Sequence, residues 1–455
     1  MCSYLSAFHY ELRKSGMKST IFQIILLAVF GALAVAGILI FAFAVGTDKN
    51  ANVIGPVLIW GTLDKPTFDD VLENIVLTNQ ALSGVSYVQK DGPTFDQELA
   101  SAISEKRGPD LYIIASDDAV KNENRVTILD YGQITRQQYQ DAFAEATNPF
   151  LSQRGVIAIP FLVDPLLLYW NRDLLGSAGF AEPPVTWDQV PGMVRAITVK
   201  DTTGSIRRSG IALGTFPNIE NGKAIITMLM IQAANVGNSV PEPIVGHNQE
   251  GLLISTMGSS FGRESPPALD ALRFYTEFAN PAQSDYSWNN SLGSARSAFA
   301  QGQVGLYLGF SSENALVRAM NPNLNFSFSS IPQLPSSVRL ITYGRAYAFA
   351  VPLESRNAQG AFMVADLFAT ATTSAAFARA FGMASASRAA LNTGEGREQT
   401  IINKMALIAK NWTDPDPQKT NAIFRDMIGN VISGAGSITD ALSNADQQLG
   451  HLMKQ

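Results

Sequence analysis

Hydrophobic and polar positions divide the chain into one long apolar run and a longer stretch in which apolar residues recur at intervals. The run from Ile21 to Val45 holds no charged residue, and Gln23 is its only strongly polar side chain. At about 1.5 Å rise per residue it is long enough to cross a hydrocarbon core of about 30 Å. It predicts a transmembrane helix over 21–45. A secretory h-region runs to about 7–15 residues, so a cleaved leader fits less well, although Ala42-Phe43-Ala44 is an A-x-A pattern. Arg13, Lys14 and Lys18 precede the run, and Asp48 and Lys49 follow it. That bias predicts a cytoplasmic tail over 1–20 and a main body outside a cell membrane crossed once.

Beyond a linker, Gly46 to Pro56, the periods change. Val57 to Trp60 reads as a strand. Thr67 is placed to cap a helix whose buried face is Phe68, Val71, Leu72, Ile75 and Val76. Val85 and Tyr87 alternate as in a strand. Thr94 with Gln97 forms a capping-box pattern before a helix lined by Phe95, Leu99 and Ile103, stopped by Gly108-Pro109. Leu111 to Ala115 is a short continuous apolar strand. The order β-α-β-α-β predicts a parallel sheet covered by helices. Val156 to Tyr169 reads as extended chain broken by Pro160 and Pro165, with Asn171 capping the next helix. Thr186 with Gln189 is a further capping box. Helical faces recur at Leu269, Leu272 and Tyr275, at Val364, Leu367 and Phe368, and at Ile423, Met427, Ile428 and Val431. Gly434-Ala435-Gly436 separates the last two helices, with Ser437 as the cap. The pattern predicts an α/β body with more than one sheet.

Composition adds compartment and ligand class. Hydrophobic residues make up 46% and charged residues 16%, ordinary for a folded protein. The net charge is −6. Because residues 1–20 carry three basic side chains against one acidic, the external body is more acidic still. That argues against nucleic acid or anionic lipid as its ligand. The single cysteine, Cys2, falls in the tail. The body therefore holds no disulfide and no thiol nucleophile, and a lipid-linked cysteine after the apolar run is excluded.

Most catalytic chemistry lacks its residues. The three histidines, His9, His247 and His451, are far apart, with no H-E-x-x-H or Cys/His cluster, so neither metal nor cofactor is expected. No phosphate loop and no G-x-S-x-G elbow occurs. Paired carboxylates for glycoside hydrolysis remain open, because Asp and Glu are plentiful. What is left is aromatic, acidic and amide-bearing, an inventory suited to a polyol held by stacking and hydrogen bonds.

Six motifs in order then carry a resemblance. They are Ile59 to Lys65; Gly108-Pro109-Asp110 running to Asp117; Ile159 to Pro165 leading into Tyr169 to Leu174; Pro183 to Trp187; Ala298 to Gly305; and Ser385 to Leu391. Together they resemble the extracellular solute-binding proteins of ABC importers, in the maltose-binding protein-like family. The resemblance implies a two-lobe periplasmic-binding-protein fold of type II, here behind a transmembrane helix. The first lobe would be 52–161 with 341–387, the second 162–340 with 388–455. It implies a binding protein rather than an enzyme, closing on a small solute, most simply a carbohydrate, and passing it to an ABC permease. A surface glycosidase or a ligand-sensing ectodomain on the same scaffold is the alternative.

The resemblance also implies the site. Asp64, Asp117 and Asp164 match acidic ligand-binding positions, and each lies where a strand ends, the edge at which open α/β sheets bind ligands. Trp412 and Trp288 stand in polar loops, and the family places cleft aromatics near the first. Tyr307 and Phe310 follow a strand that often carries a stacking aromatic. Ser312 replaces the family's tryptophan. Tyr343 and Arg345 sit in the second crossover, where the arginine needs an acidic partner. Trp60, Trp170 and Trp187 are assigned to packing.

Overall fold

The computed structural model describes residues 54–235, 241–337, 339–392 and 396–454. The expected tail over 1–20 and transmembrane helix over 21–45 lie outside the described residues. Among those described, no single helix is long and apolar enough to cross a membrane.

The body opens as the apolar pattern predicts. Strand β1 (Val57–Gly61) lies parallel to β2 (Val85–Gln89) on one side and to β3 (Leu111–Ala115) on the other. Helices α1 (Lys65–Thr78) and α2 (Gly92–Ser104) connect them. Both helices start earlier than their threonines suggested. Asp64 caps α1 by accepting the Thr67 amide, and Asp91 stands before α2 without a side-chain cap bond. The reason is local: Pro66 and Pro93 fit the first helical turn, where a missing N–H costs nothing, and they pull each start upstream. Asn171, Thr186 with Gln189, and Ser437 cap where expected.

After a bend at Ile157 and Ala158, the apolar stretch is not broken by Pro160 or Pro165. It forms β4 (Ile159–Asn171), almost every residue of which is buried. Its prolines are accommodated rather than disruptive. The register against β8 (Thr342–Ala350) slips between Tyr347 and Ala348, so Phe161 is the extra residue of a bulge and Pro160 sits beside it. The first half of β4 pairs antiparallel with β8. Its second half pairs with β6 (Val304–Phe310) and β7 (Phe326–Ser329). Strand β5 (Ile206–Ile211) lies parallel to β6. One strand path therefore runs β2-β1-β3-β8-β4-β6-β5, within an 11-stranded sheet beside two 2-stranded ones. The order is that of two α/β lobes, joined through β4 and β8.

The core follows from this path. On one face of the first three strands, Ile59, Leu111 and Ile113 pack against Phe68 of α1, Phe368 of α4 (Ala358–Ala369) and Phe377 of α5 (Ala371–Phe381). The other face, with Tyr112 and Ile114, joins a larger core through Leu166 to Tyr169 and the all-buried strand β6. Burying a large apolar side chain stabilises by roughly 1.5–3 kcal/mol. These two clusters hold the strands rigid, and the strand ends that meet at the crossing point become a fixed frame for polar groups.

Candidate functional site

Asp117 lies just past the C-terminal end of β3, in the turn Ser116–Asp118. Tyr343 and Arg345 are two apart on β8, so they share a face of the sheet. The Tyr343 hydroxyl donates to Asp117 Oδ1 at 3.0 Å. Arg345 approaches Asp117 Oδ2 with two nitrogens, Nε at 3.3 Å and a terminal nitrogen at 3.2 Å. Arg345 therefore has the acidic partner that its place beside an apolar strand requires. Its guanidinium also lies 4.9 Å from the centroid of the Phe310 ring, within cation–π range.

Directly across the sheet, Arg345 pairs in register with Asp164 of β4. Asp164 takes its hydrogen bonds from the turn after β6: Ser311 Oγ at 2.7 Å, Ser312 Oγ at 2.6 Å and the Ser312 amide at 3.1 Å. Gly344 keeps the approach open, since a Cβ there would come within 2.7 Å of the Ala409 Cβ. The short strand Ala409–Lys410 can then pair with the start of β8. The chain leaves that strand through Asn411, whose amide donates to Ser116 Oγ at 2.6 Å and to the Gly344 carbonyl at 3.1 Å. Trp412 follows, largely buried, with Phe424 edge-on at 6.1 Å.

Electrostatics separates the two carboxyls. Burial pushes Asp117 up, but the Arg345 guanidinium, the Lys223 ammonium and hydrogen bonds from Tyr343 and Asn411 outweigh it, leaving Asp117 below its ordinary value. Burial lifts Asp164 to about 6, because its hydroxyl and amide donors carry no full charge. Asp118 is likewise lifted to about 6, by burial and by the neighbouring Asp117.

Three of the expected residues lie elsewhere. Asp64 is exposed and caps α1, with Thr67 Oγ1 at 2.6 Å and the Thr67 amide at 3.0 Å. Trp288 is 1% exposed, and its indole N–H donates to Asn218 at 3.2 Å. Tyr307 is buried and donates to Glu313 at 2.5 Å, inside a network with Asn221 and Arg296. Asp117, Asp164, Tyr343 and Arg345 meet at the crossing strands, and Trp412 joins them through Asn411.

A cleft of about 780 Å³ opens beside Asn411 and Trp412. One wall comes from Val120 to Ile157, the other from Ile231 and Pro241 to Leu253. Gln153 spans it, donating to the Gly251 carbonyl at 2.5 Å. Much of its charged lining is paired, Arg154 with Glu123 at 3.1 Å and Lys410 with Glu145 at 2.6 Å, while Arg136 donates to the Ser152 carbonyl at 3.1 Å and His247 lies 3.5 Å from Glu242. Sequence reasoning passed over these residues, and over Lys223, Asp414 and Asn411, because each is an ordinary polar residue until the fold assembles it. Lys223 alone carries a signal, as a cation in the first turn of a helix, where the macrodipole disfavours it.

Residues 84–376 match the family model for the bacterial extracellular solute-binding protein. The chain belongs to that family. This solute-binding protein is 22% identical over 420 residues to a binding protein of Brucella abortus (strain 2308), covering 91% of this chain and 92% of that one. Among solved structures it is similar to the cyclic alpha-maltosyl-1,6-maltose binding protein from Arthrobacter globiformis, with a TM-score of 0.69 and 17% identity, over 88% of this chain and 100% of that one. It is also similar to an ABC transporter solute-binding protein from Thermotoga lettingae bound with alpha-D-tagatose, with a TM-score of 0.62 and 18% identity, over 88% and 100%. At that identity the likeness is one of fold. The family is one of binding proteins, not enzymes, and its members' bodies work outside the cytoplasm.

Proposed function

We propose that this solute-binding protein captures a carbohydrate between its lobes and presents it to an ABC permease. The observation that carries this reading is the cleft beside Trp412. Its volume lies within the range of about 300–1,000 Å³ usual for small-molecule sites, and its lining sets three carboxylates, Glu123, Glu145 and Glu242, against three cations, Arg136, Arg154 and Lys410. Such a lining offers many hydrogen-bonding groups and little net charge, which suits a neutral polyhydroxyl ligand. Trp412 supplies a flat apolar face for the C–H side of a sugar ring. The carbohydrates named for the Arthrobacter and Thermotoga proteins agree with it.

The lobes would be 52–161 with 341–387, and 162–340 with 388–455, closing about β4 and β8. Residues 21–45 would hold the body on the outer face of the cytoplasmic membrane, tail inside. The experiment is a calorimetric titration of residues 50–455 with maltotriose, mannotriose and tagatose. One of them should bind, and Trp412→Ala and Asp117→Asn should each weaken it without unfolding. Losing a charge-assisted hydrogen bond costs about 1.5–3 kcal/mol, roughly ten- to hundred-fold in affinity. If both variants bind as the parent does, ligand binds elsewhere.

A further inference from the structure

We propose that Lys223 is a positioning residue for Trp412: held by Asp414, its ammonium fixes the indole at the wall of the cleft. The proposal rests on the reading of Trp412 as the ring that meets the ligand. Lys223 stands in the first turn of α3 (Gly222–Ala234). There an ammonium opposes the helix dipole, so α3 gains nothing from it. Its partners lie in the segment that follows Trp412. The Nζ bonds Asp414, donates to Thr420 Oγ1 at 2.7 Å and to the Pro417 carbonyl at 3.3 Å, and lies 5.5 Å from the indole centroid.

Asp414 is the hub. It is 2% exposed. Beyond Lys223, it accepts Thr420 Oγ1 at 2.9 Å and the Asp416 amide at 3.2 Å. Asp416 in turn caps α6 (Pro417–Ser433), which carries Thr420 and the ring of Phe424. The five residues from Trp412 to Asp416 are thus tied to two helices, to α3 by the Lys223–Asp414 ion pair and to α6 by Thr420 and the Asp416 cap. Trp412 has the cation on one side and the Phe424 edge near it. Its indole makes no polar bond of its own among the described residues; the residue is anchored through its backbone N–H, which donates to Asn411 Oδ1 at 2.8 Å. The ring's orientation therefore depends on what surrounds it. An ion pair this buried does little for net stability compared with apolar packing, which fits a role in fixing one geometry.

The test reads Trp412 in the free protein by acrylamide quenching of tryptophan fluorescence, with Trp412→Phe giving its share of the signal. Lys223→Met alone strands a buried carboxylate and risks unfolding, so Lys223→Met/Asp414→Asn, which removes both charges, is the deciding variant. Quenching of Trp412 should rise several-fold in the double variant, and maltotriose affinity should fall about as far as in Trp412→Ala. Adding Trp412→Ala to the double variant should cost little more, since coupled neighbours do not add. Unchanged quenching in a folded double variant overturns the proposal. Raised quenching, with Trp412→Ala binding maltotriose as the parent does, supports the lock and removes the sugar reading instead.

Discussion

Asp117 and Asp164 flank Arg345 at one crossing point, both largely cut off from water, yet their protons are held in opposite ways. Asp117 meets a guanidinium at 3.2 Å and stays ionised below the usual carboxylate range. Asp164 meets two hydroxyls and one amide and rises to about 6. Burial acts on each in the same direction. The charge of the donor decides the outcome, because a neutral donor returns only part of the lost hydration. The lesson for the site is a division of labour. Asp117 is a committed anion, held ionised by Arg345 and Tyr343. Asp164 keeps a carboxyl that can carry or release a proton near neutral pH.

The largest test of this contrast is the pH dependence of stability. A carboxyl whose folded pKa lies above the unfolded one favours folding while protonated. The Asp164 contribution should therefore fall as pH rises from about 4 to about 6. A shift of about two units corresponds to roughly 3 kcal/mol. Urea unfolding of the parent and of Asp164→Asn across pH 4–7 reads it as a difference, which cancels the other titrating groups. The variant should lose that part of the slope. Parallel curves would mean that Asp164 ionises as freely as Asp117 does.

A somewhat smaller effect should follow from removing the charge that distinguishes Asp117. Breaking a buried pair typically costs about 3–5 kcal/mol. A third of the Arg345 side chain reaches solvent, so Arg345→Met should cost about 2 kcal/mol at pH 7, nearer the value for a partly screened pair. The sign is opposite to that of Asp164. A depressed carboxyl stabilises above its unfolded pKa and loses this as pH falls through the folded value. The loss in Arg345→Met should accordingly shrink toward pH 3. Arg345→Met/Asp117→Asn should recover most of it. A double variant no better than the single would assign the cost to packing against Phe310.

Why some of this was legible in the sequence and some was not has a physical cause. Period-two and period-3.6 patterns report burial of a local face, so β1 to β3 and the faces of α1, α4 and α6 could be read directly. Helix starts were misread at Thr67 and Thr94 because a hydroxyl near a helix start looks alike at the cap and two residues inside it. Strand β4 was read as broken because a proline forbids a ladder bond only where a partner needs it, and at Pro160 the bulge at Phe161 removes that need. The site divides the same way. Tyr343 and Arg345 stand out as polar side chains in an apolar strand. The pairing of Lys223 with Asp414 spans 191 residues, and only the tertiary fold brings them together. Trp288 shows the converse: a polar loop around it suggested exposure, yet the loop folds back and Asn218 satisfies its N–H.

Asp64 completes the series as a carboxylate with no burial to overcome, and it gives the smallest effect. Its pKa is lowered by the Thr67 hydroxyl and then by the Thr67 amide, both donors at the first turn of α1. A cap of this kind is worth about 1 kcal/mol against alanine, and asparagine caps about as well as aspartate. Asp64→Ala should therefore lower stability by roughly that amount, and Asp64→Asn should leave it within a few tenths of a kcal/mol. Thermal unfolding at pH 7 measures both. The pair also separates capping from ligand binding at this strand end. Asparagine keeps an acceptor for Thr67 but gives up the charge. If Asp64→Asn melts with the parent and binds maltotriose as tightly, Asp64 is a cap alone. If it melts with the parent yet binds several-fold more weakly, the exposed carboxylate reaches the ligand when the lobes close, and the contrast extends to a third acid whose charge is neither paired nor buried until ligand arrives.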